Sequence, residues 1–185
     1  MKTLLVFFGM IASGKSTLGQ AWAKRCQATY YNTDRVRKEL IGLEPTDRRP
    51  DPVGQGIYAS EWTEKTYAAM LDRARADFAN GEETVVLDGS YGRRHDRDHV
   101  RHLAKAATAR CVFVWCTCSD TEVERRLALR ARDRGAVSDG RWEIYLHQKQ
   151  VFERPNPGQE ADCLVVNTER EVGELLQVLA GELGG

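Results

Sequence analysis

The chain has 185 residues, 42% of them hydrophobic, which suits one domain spanning 1–185 with a substantial core and leaves too little for two. Lysine plus arginine and aspartate plus glutamate both total 27, so the formal net charge is zero. That balance argues against a protein living on nucleic acid, although a local basic groove remains open.

The opening strand is read at Thr3–Phe8, and its apolar run gives way to Gly9-Met10-Ile11-Ala12-Ser13-Gly14-Lys15-Ser16. This is a complete G-x-x-x-x-G-K-S phosphate-binding loop. Gly9 and Gly14 let the backbone curl so that its N–H groups converge, and the helix that follows adds positive potential at its N-terminus. A nucleoside triphosphate is expected across Gly9–Thr17, touching Gly9, Ala12, Ser13, Gly14, Lys15, Ser16 and Thr17. Lys15 is expected at the β- and γ-phosphates and the Ser16 hydroxyl on Mg²⁺.

Leu18, Ala21 and Trp22 give the next segment helical spacing, and a second strand is predicted over Ala28–Asn32. Asn32-Thr33-Asp34-Arg35-Val36-Arg37 then places Asp34 just past a strand end and Arg37 one helical turn further. Asp34 has two readings: a base that accepts an attacking hydroxyl's proton, or the cap of a helix over Arg35–Ile41. Gly42 to Gly56 carries Pro45, Pro50 and Pro52 and is read either as a cover over a substrate or as a plain surface connection.

Tyr67, Leu71, Ala74 and Phe78 continue as a helix stopped at Asn80-Gly81, and Thr84–Leu87 is the third strand. It runs into Asp88-Gly89-Ser90, where Asp88 resembles a Walker B carboxylate that orients a Mg²⁺-bound water or holds an acceptor hydroxyl. Val100, Leu103, Ala104 and Ala107 mark a further helix, whose His95, His99 and His102 share a solvent face. A strand at Arg110–Cys116 precedes Ser119-Asp120-Thr121-Glu122, a capping box opening a helix to about Arg134. Arg126 and Arg130 share one face of that helix, apart from Val123 and Leu127. A strand at Asp162–Val166 and a helix through Val172, Leu175, Leu176 and Leu179 complete the pattern. Cys26, Cys111, Cys116, Cys118 and Cys163 lack zinc-type pairing and are read as reduced core residues.

Strands alternating with helices predict an α/β fold, a parallel five-stranded sheet with helices on both faces. Ligands then sit at the carboxyl ends of the strands. Without a signal peptide or an apolar run able to span a bilayer, a cytoplasmic protein without a membrane partner is expected.

Gly9–Thr17, Asn32–Arg37, Val85–Ser90, Arg126-x-x-x-Arg130 and Ser138-Asp139-Gly140-Arg141-Trp142-Glu143 together resemble the AAA-domain kinase family of bacterial P-loop phosphotransferases. That family is similar to polynucleotide kinase, zeta toxin, chloramphenicol phosphotransferase and gluconate kinase. The resemblance implies a three-layer P-loop fold with strand order 2-3-1-4-5. It implies Asp34 as general base, at the end of the strand next to the P-loop strand, with Arg37 an acceptor-side arginine and Asp88 nearer the metal. It further implies Arg126 near the adenine and Arg130 as a lid arginine on the phosphates.

The function expected is an ATP- and Mg²⁺-dependent kinase acting on a hydroxyl of a small molecule such as a sugar, nucleoside or antibiotic. Lys15, Asp34 and Arg130 would be catalytic, Arg37 and Asp88 would meet the acceptor, and Ser16 and Asp88 would hold the metal. A 5′-hydroxyl polynucleotide kinase is the alternative, opposed by the zero net charge. A nucleotide-binding regulatory module is a second, opposed by Asp34 and the arginine-bearing helix.

Overall fold

The five apolar runs hydrogen-bond into one parallel sheet. Its strands are β1 (Thr3–Phe8), β2 (Thr29–Asn32), β3 (Thr84–Gly89), β4 (Arg110–Thr117) and β5 (Cys163–Asn167), in the order β2-β3-β1-β4-β5. The computed structural model describes residues 1–44, 47, 60–132 and 141–184.

Side chains alternate along each strand, so each face of the sheet gathers its own core. Leu4, Val6 and Phe8 of β1 pack with Met70, Ala74 and Phe78 of α3 (Ser60–Ala79) and Val100 and Leu103 of α4 (Arg94–Ala106). On the opposite face, Leu5 and Phe7 meet Leu18 and Trp22 of α1 (Lys15–Cys26) and Leu175 and Leu179 of α7 (Val172–Leu183). A third cluster lies over the strand ends, where Ile11 and Ala12 pack on Val123 and Leu127 of α5 (Asp120–Arg132) and Tyr145 of α6 (Trp142–Val151). No helix among the described residues is long and apolar enough to cross a membrane.

Three expectations change. The strand order is the one the resemblance implies, and it puts β3 between β2 and β1, with Phe7 opposite Asp88 and Asn32 also opposite Asp88. Asp34 therefore follows a strand one place removed from β1, and Asp88 is the carboxylate on the strand beside it. The helix after β2, α2 (Thr33–Leu40), begins two residues before the expected Arg35, and Asn32 caps it by accepting the Arg35 N–H at 3.1 Å. Asp34 sits in the first turn and is not the cap. The capping box of α5 is half-formed: Ser119 Oγ accepts the Glu122 N–H at 3.3 Å, while the Glu122 carboxylate turns to Arg125 and Arg126. The end of that helix near Arg134, and Pro45, Pro50 and Pro52 with most of their segment, lie outside the described residues.

A buried ion pair holds α4 to the segment before β5. Arg97 and Glu160 are each almost fully buried and meet through two bonds, Nε to Oε2 at 2.7 Å and Nη2 to Oε1 at 2.8 Å. The third Arg97 donor satisfies the Tyr91 carbonyl at 2.9 Å, so the pair also fixes the turn after β3. The Arg97 hydrogen bonds, joined by those of Arg101, hold the Glu160 carboxyl down at about 2 against the opposing effect of burial. A folded-state value below the ordinary 4.5 means this stabilisation is complete above pH 4.5 and disappears as pH falls towards 2. Glu160→Ala, which strands Arg97 in the core, is expected to cost about 3–5 kcal/mol at pH 7. The penalty should shrink below pH 4.5, as read from urea unfolding at both pH values.

Candidate active site

Where β1 ends, Gly9 turns at φ +145°, and a Cβ there would lie 2.4 Å from the Cys116 carbonyl of β4. Only glycine admits that approach. Ala12 and Gly14 also adopt positive φ, +60° and +83°, and the Ser13 N–H closes the turn on the Met10 carbonyl at 3.2 Å. Gly14 then caps α1, whose first bond runs from the Leu18 N–H to the Gly14 carbonyl at 3.0 Å. The first N–H groups of α1 have no partner within the helix, so the curl ends in donors and the positive end of a dipole.

The outside of the curl is held by side chains from distant elements. Arg126 of α5 donates to the Ala12 carbonyl at 3.1 Å, and to Thr168 at its hydroxyl (3.0 Å) and carbonyl (2.6 Å). Thr168, two residues past Val166, donates its own hydroxyl to the Ser13 carbonyl at 2.6 Å. On the other flank the Ile11 N–H is accepted by Gln148 Oε1 of α6 at 2.7 Å. Lys15 rests its ammonium on the Met10 carbonyl at 3.3 Å. A cavity of about 290 Å³ opens beside the loop, walled by Thr17, Leu18, Arg126, Leu129, Arg130 and Leu175.

Across the strand ends lie the carboxylates. Asp34 is a quarter exposed and takes a 2.9 Å bond from the buried Arg37 guanidinium. Asp88 is fully buried. Its Oδ2 accepts from the Tyr30 hydroxyl and from Asn32 Nδ2, both at 2.6 Å, while its Oδ1 has no hydrogen-bond partner among the described residues. Burial, reinforced by the adjacent Asp88 charge, pushes the Tyr30 phenol far up, so it stays a donor. Thr33 Oγ1 donates to the Asp88 carbonyl at 2.7 Å, pinning the start of α2 to the end of β3. A Cβ on Gly89 would come within 2.2 Å of that hydroxyl, which is why glycine follows Asp88.

Arg130 feels the charge of both carboxylates. Burial pulls its guanidinium below the usual arginine value, Asp34 and Asp88 oppose that effect, and Arg126 adds to it. A half-buried cation thus lies within electrostatic reach of Asp34, Asp88 and Arg126 together. The structure assembles the phosphate loop, Arg126, Arg130, Asp34, Arg37 and Asp88 at one end of the sheet. His95 and His99 are elsewhere, exposed on α4 with rings 4.2 Å apart. Cys116 is buried in β4, and burial raises its thiol.

Sequence reading missed Thr168, Gln148 and Tyr30. Thr168 had a signal in its position just beyond a strand's carboxyl end. Gln148 and Tyr30 had none, because each acts on a residue more than fifty positions away.

A family model described as an AAA domain matches residues 4–155. The chain belongs to the AAA domain family. Among curated proteins no significant sequence match is found. Solved structures align over nearly the full length of this AAA domain. A sugar kinase from a Janibacter species superposes with a TM-score of 0.72 at 16% identity, covering 100% of this chain and 95% of its own. An APS kinase from Mycobacterium tuberculosis, in complex with AMPPNP and APS, gives 0.67 at 18%, covering 100% and 98%. A gluconokinase from Sinorhizobium meliloti gives 0.63 at 21%, covering 99% and 95%. At these identities the likeness is one of fold, and it is the P-loop fold with the strand order seen here.

Thr168→Val keeps the shape and removes the donor to the Ser13 carbonyl. Leaving that acceptor buried and unpaired is expected to cost about 1–3 kcal/mol in urea unfolding. ADP affinity, read by calorimetry, should drop about tenfold as the loop loosens.

Proposed function

We propose that the chain is a kinase that moves the γ-phosphoryl group of ATP to a hydroxyl of a small molecule. One observation carries this reading: the phosphate loop and the Asp34–Arg37 pair lie at the same end of the sheet, with Arg130 in electrostatic reach of both carboxylates. A nucleotide store would need the loop and the cavity alone. The sugar kinase, gluconokinase and APS kinase of the same fold support it by analogy.

The nucleotide's triphosphate lies in the curl at Gly9–Thr17, with Lys15 swung from the Met10 carbonyl onto the β- and γ-phosphates. The base occupies the adjoining cavity against Arg126. Asp34 accepts the acceptor's proton while the acceptor oxygen attacks the γ-phosphorus and the bond to the β-phosphate oxygen breaks, releasing ADP. Arg37 fixes the Asp34 carboxylate. Arg130 meets the charge that develops on the transferring group, and its partial desolvation strengthens that interaction.

The residues fit Mg²⁺. Asp88 Oδ1 is a buried carboxylate oxygen lacking a partner among the described residues, and hydroxyl and carboxylate oxygens are the donors this ion takes. Ser16 and Asp88 would hold it, and when bound it neutralises charge on the β- and γ-phosphates.

The deciding experiment screens pools of sugars, nucleosides, oligonucleotides and aminoglycosides for acceptor-stimulated ADP release, with Lys15→Met as the inactive control. Stimulation by no pool in the wild-type chain would overturn the kinase reading. Asp34→Asn should lower acceptor phosphorylation by roughly two to four orders of magnitude, with ATP affinity unchanged by calorimetry. Full activity in Asp34→Asn together with loss in Asp88→Asn would exchange their roles. Arg130→Ala should reduce kcat by about ten- to a thousandfold with a smaller change in ATP affinity. Unchanged kcat with weaker binding would make Arg130 a ground-state clamp.

A further inference from the structure

A carboxylate has two oxygens, and in Asp88 they are treated differently. Oδ2 receives two short bonds, from the Tyr30 hydroxyl and Asn32 Nδ2, both at 2.6 Å, which fills its acceptor sites. Oδ1 is equally buried and has no partner among the described residues. An aspartate's terminal torsion is broad and has no strong intrinsic preference, so the side chain alone would not hold one oxygen in one place. The two donors supply that preference, because rotating the carboxylate breaks both bonds in an interior where they are not replaced by water.

The sheet explains why the donors come from β2. Asn32 is the direct cross-strand partner of Asp88, and Tyr30 is two residues earlier on the same face. That face is the one α1 covers, since Val86, two residues before Asp88, packs in the same core as Leu18 and Trp22. The phosphate loop is close by, for Asp88 is the cross-strand partner of Phe7, two residues before Gly9.

We infer that Tyr30 and Asn32 are positioning residues that lock the Asp88 carboxylate on Oδ2, so that Oδ1, which has no hydrogen-bond partner among the described residues, is presented to the divalent cation of a bound nucleotide. This rests on the proposal above that Asp88 faces that cation. It goes further by assigning the orientation to two side chains of β2, a strand one place removed from the one that leads into the phosphate loop. Outer hydrogen bonds of this kind typically change metal affinity by about 10–100-fold.

The test measures Mn²⁺ binding by electron paramagnetic resonance to the full chain saturated with ADP, alongside ADP binding in EDTA. Tyr30→Phe removes one donor and keeps the ring. Asn32→Ser removes the other and keeps an oxygen able to cap α2. Both variants are expected to weaken Mn²⁺ binding by about 10–100-fold while metal-free ADP affinity stays within about twofold. Should Tyr30→Phe fail to fold, Asn32→Ser carries the test alone. Wild-type Mn²⁺ affinity in the variants, with Asp88→Asn weakened, overturns the positioning role and leaves the proposed place of Asp88 standing. Unchanged Mn²⁺ affinity in Asp88→Asn removes both. An equal loss of metal-free ADP binding would make the two residues merely structural and likewise overturn the inference.

Discussion

The site depends on a stretch of backbone that is bent against its own preferences. Between Gly9 and Gly14 three residues adopt positive φ, one of them an alanine. Such a curl persists only when its surroundings fix it. Here the carbonyls of Ala12 and Ser13 are each taken by a side chain from outside, Arg126 and Thr168, and the Ile11 N–H by Gln148. With those groups turned outward and occupied, the interior of the curl is left to N–H donors.

The acceptor side is built by a different device, close contact between strand ends. Thr33 reaches the Asp88 carbonyl, and Gly89 makes room for it. This fixes α2, and hence Asp34 and Arg37, relative to the strand that adjoins the phosphate loop. Tyr67 of α3 does the same for the turn after β3, accepting the Tyr91 N–H at 2.9 Å and stacking on its ring. Asp34, Asp88 and Arg37 are thereby held at one end of the sheet.

What could be read from the sequence was what is local. The phosphate loop is eight contiguous residues, and the five strands are contiguous apolar runs whose ends fall within two residues of the expected ones. Asp88 and Asp34 stood out because they terminate such runs. Whether Asp34 caps α2 stayed open because Asn32 and Asp34 are both good caps, and the choice is made by where β2 lets go of β3. The neighbour of β1 is likewise a matter of pairing, which a single chain's periodicity does not encode. Thr168, Gln148 and Tyr30 act across 155, 137 and 58 positions. Thr168 had its place past a strand end as a signal, whereas nothing in the immediate sequence of Gln148 or Tyr30 distinguishes them from solvated polar residues.

The span of the Thr168 bond has a consequence for how the molecule comes into being. The phosphate loop precedes its clamp at residue 168 by 155 positions, and the buried partner of Arg97 is supplied by residue 160. Strand β5, which carries Thr168 into place, pairs with β4 at the edge of the sheet formed by the described residues. The loop sequence is therefore made before its clamp, and the curl gains its Thr168 bond only once β5 has joined the sheet.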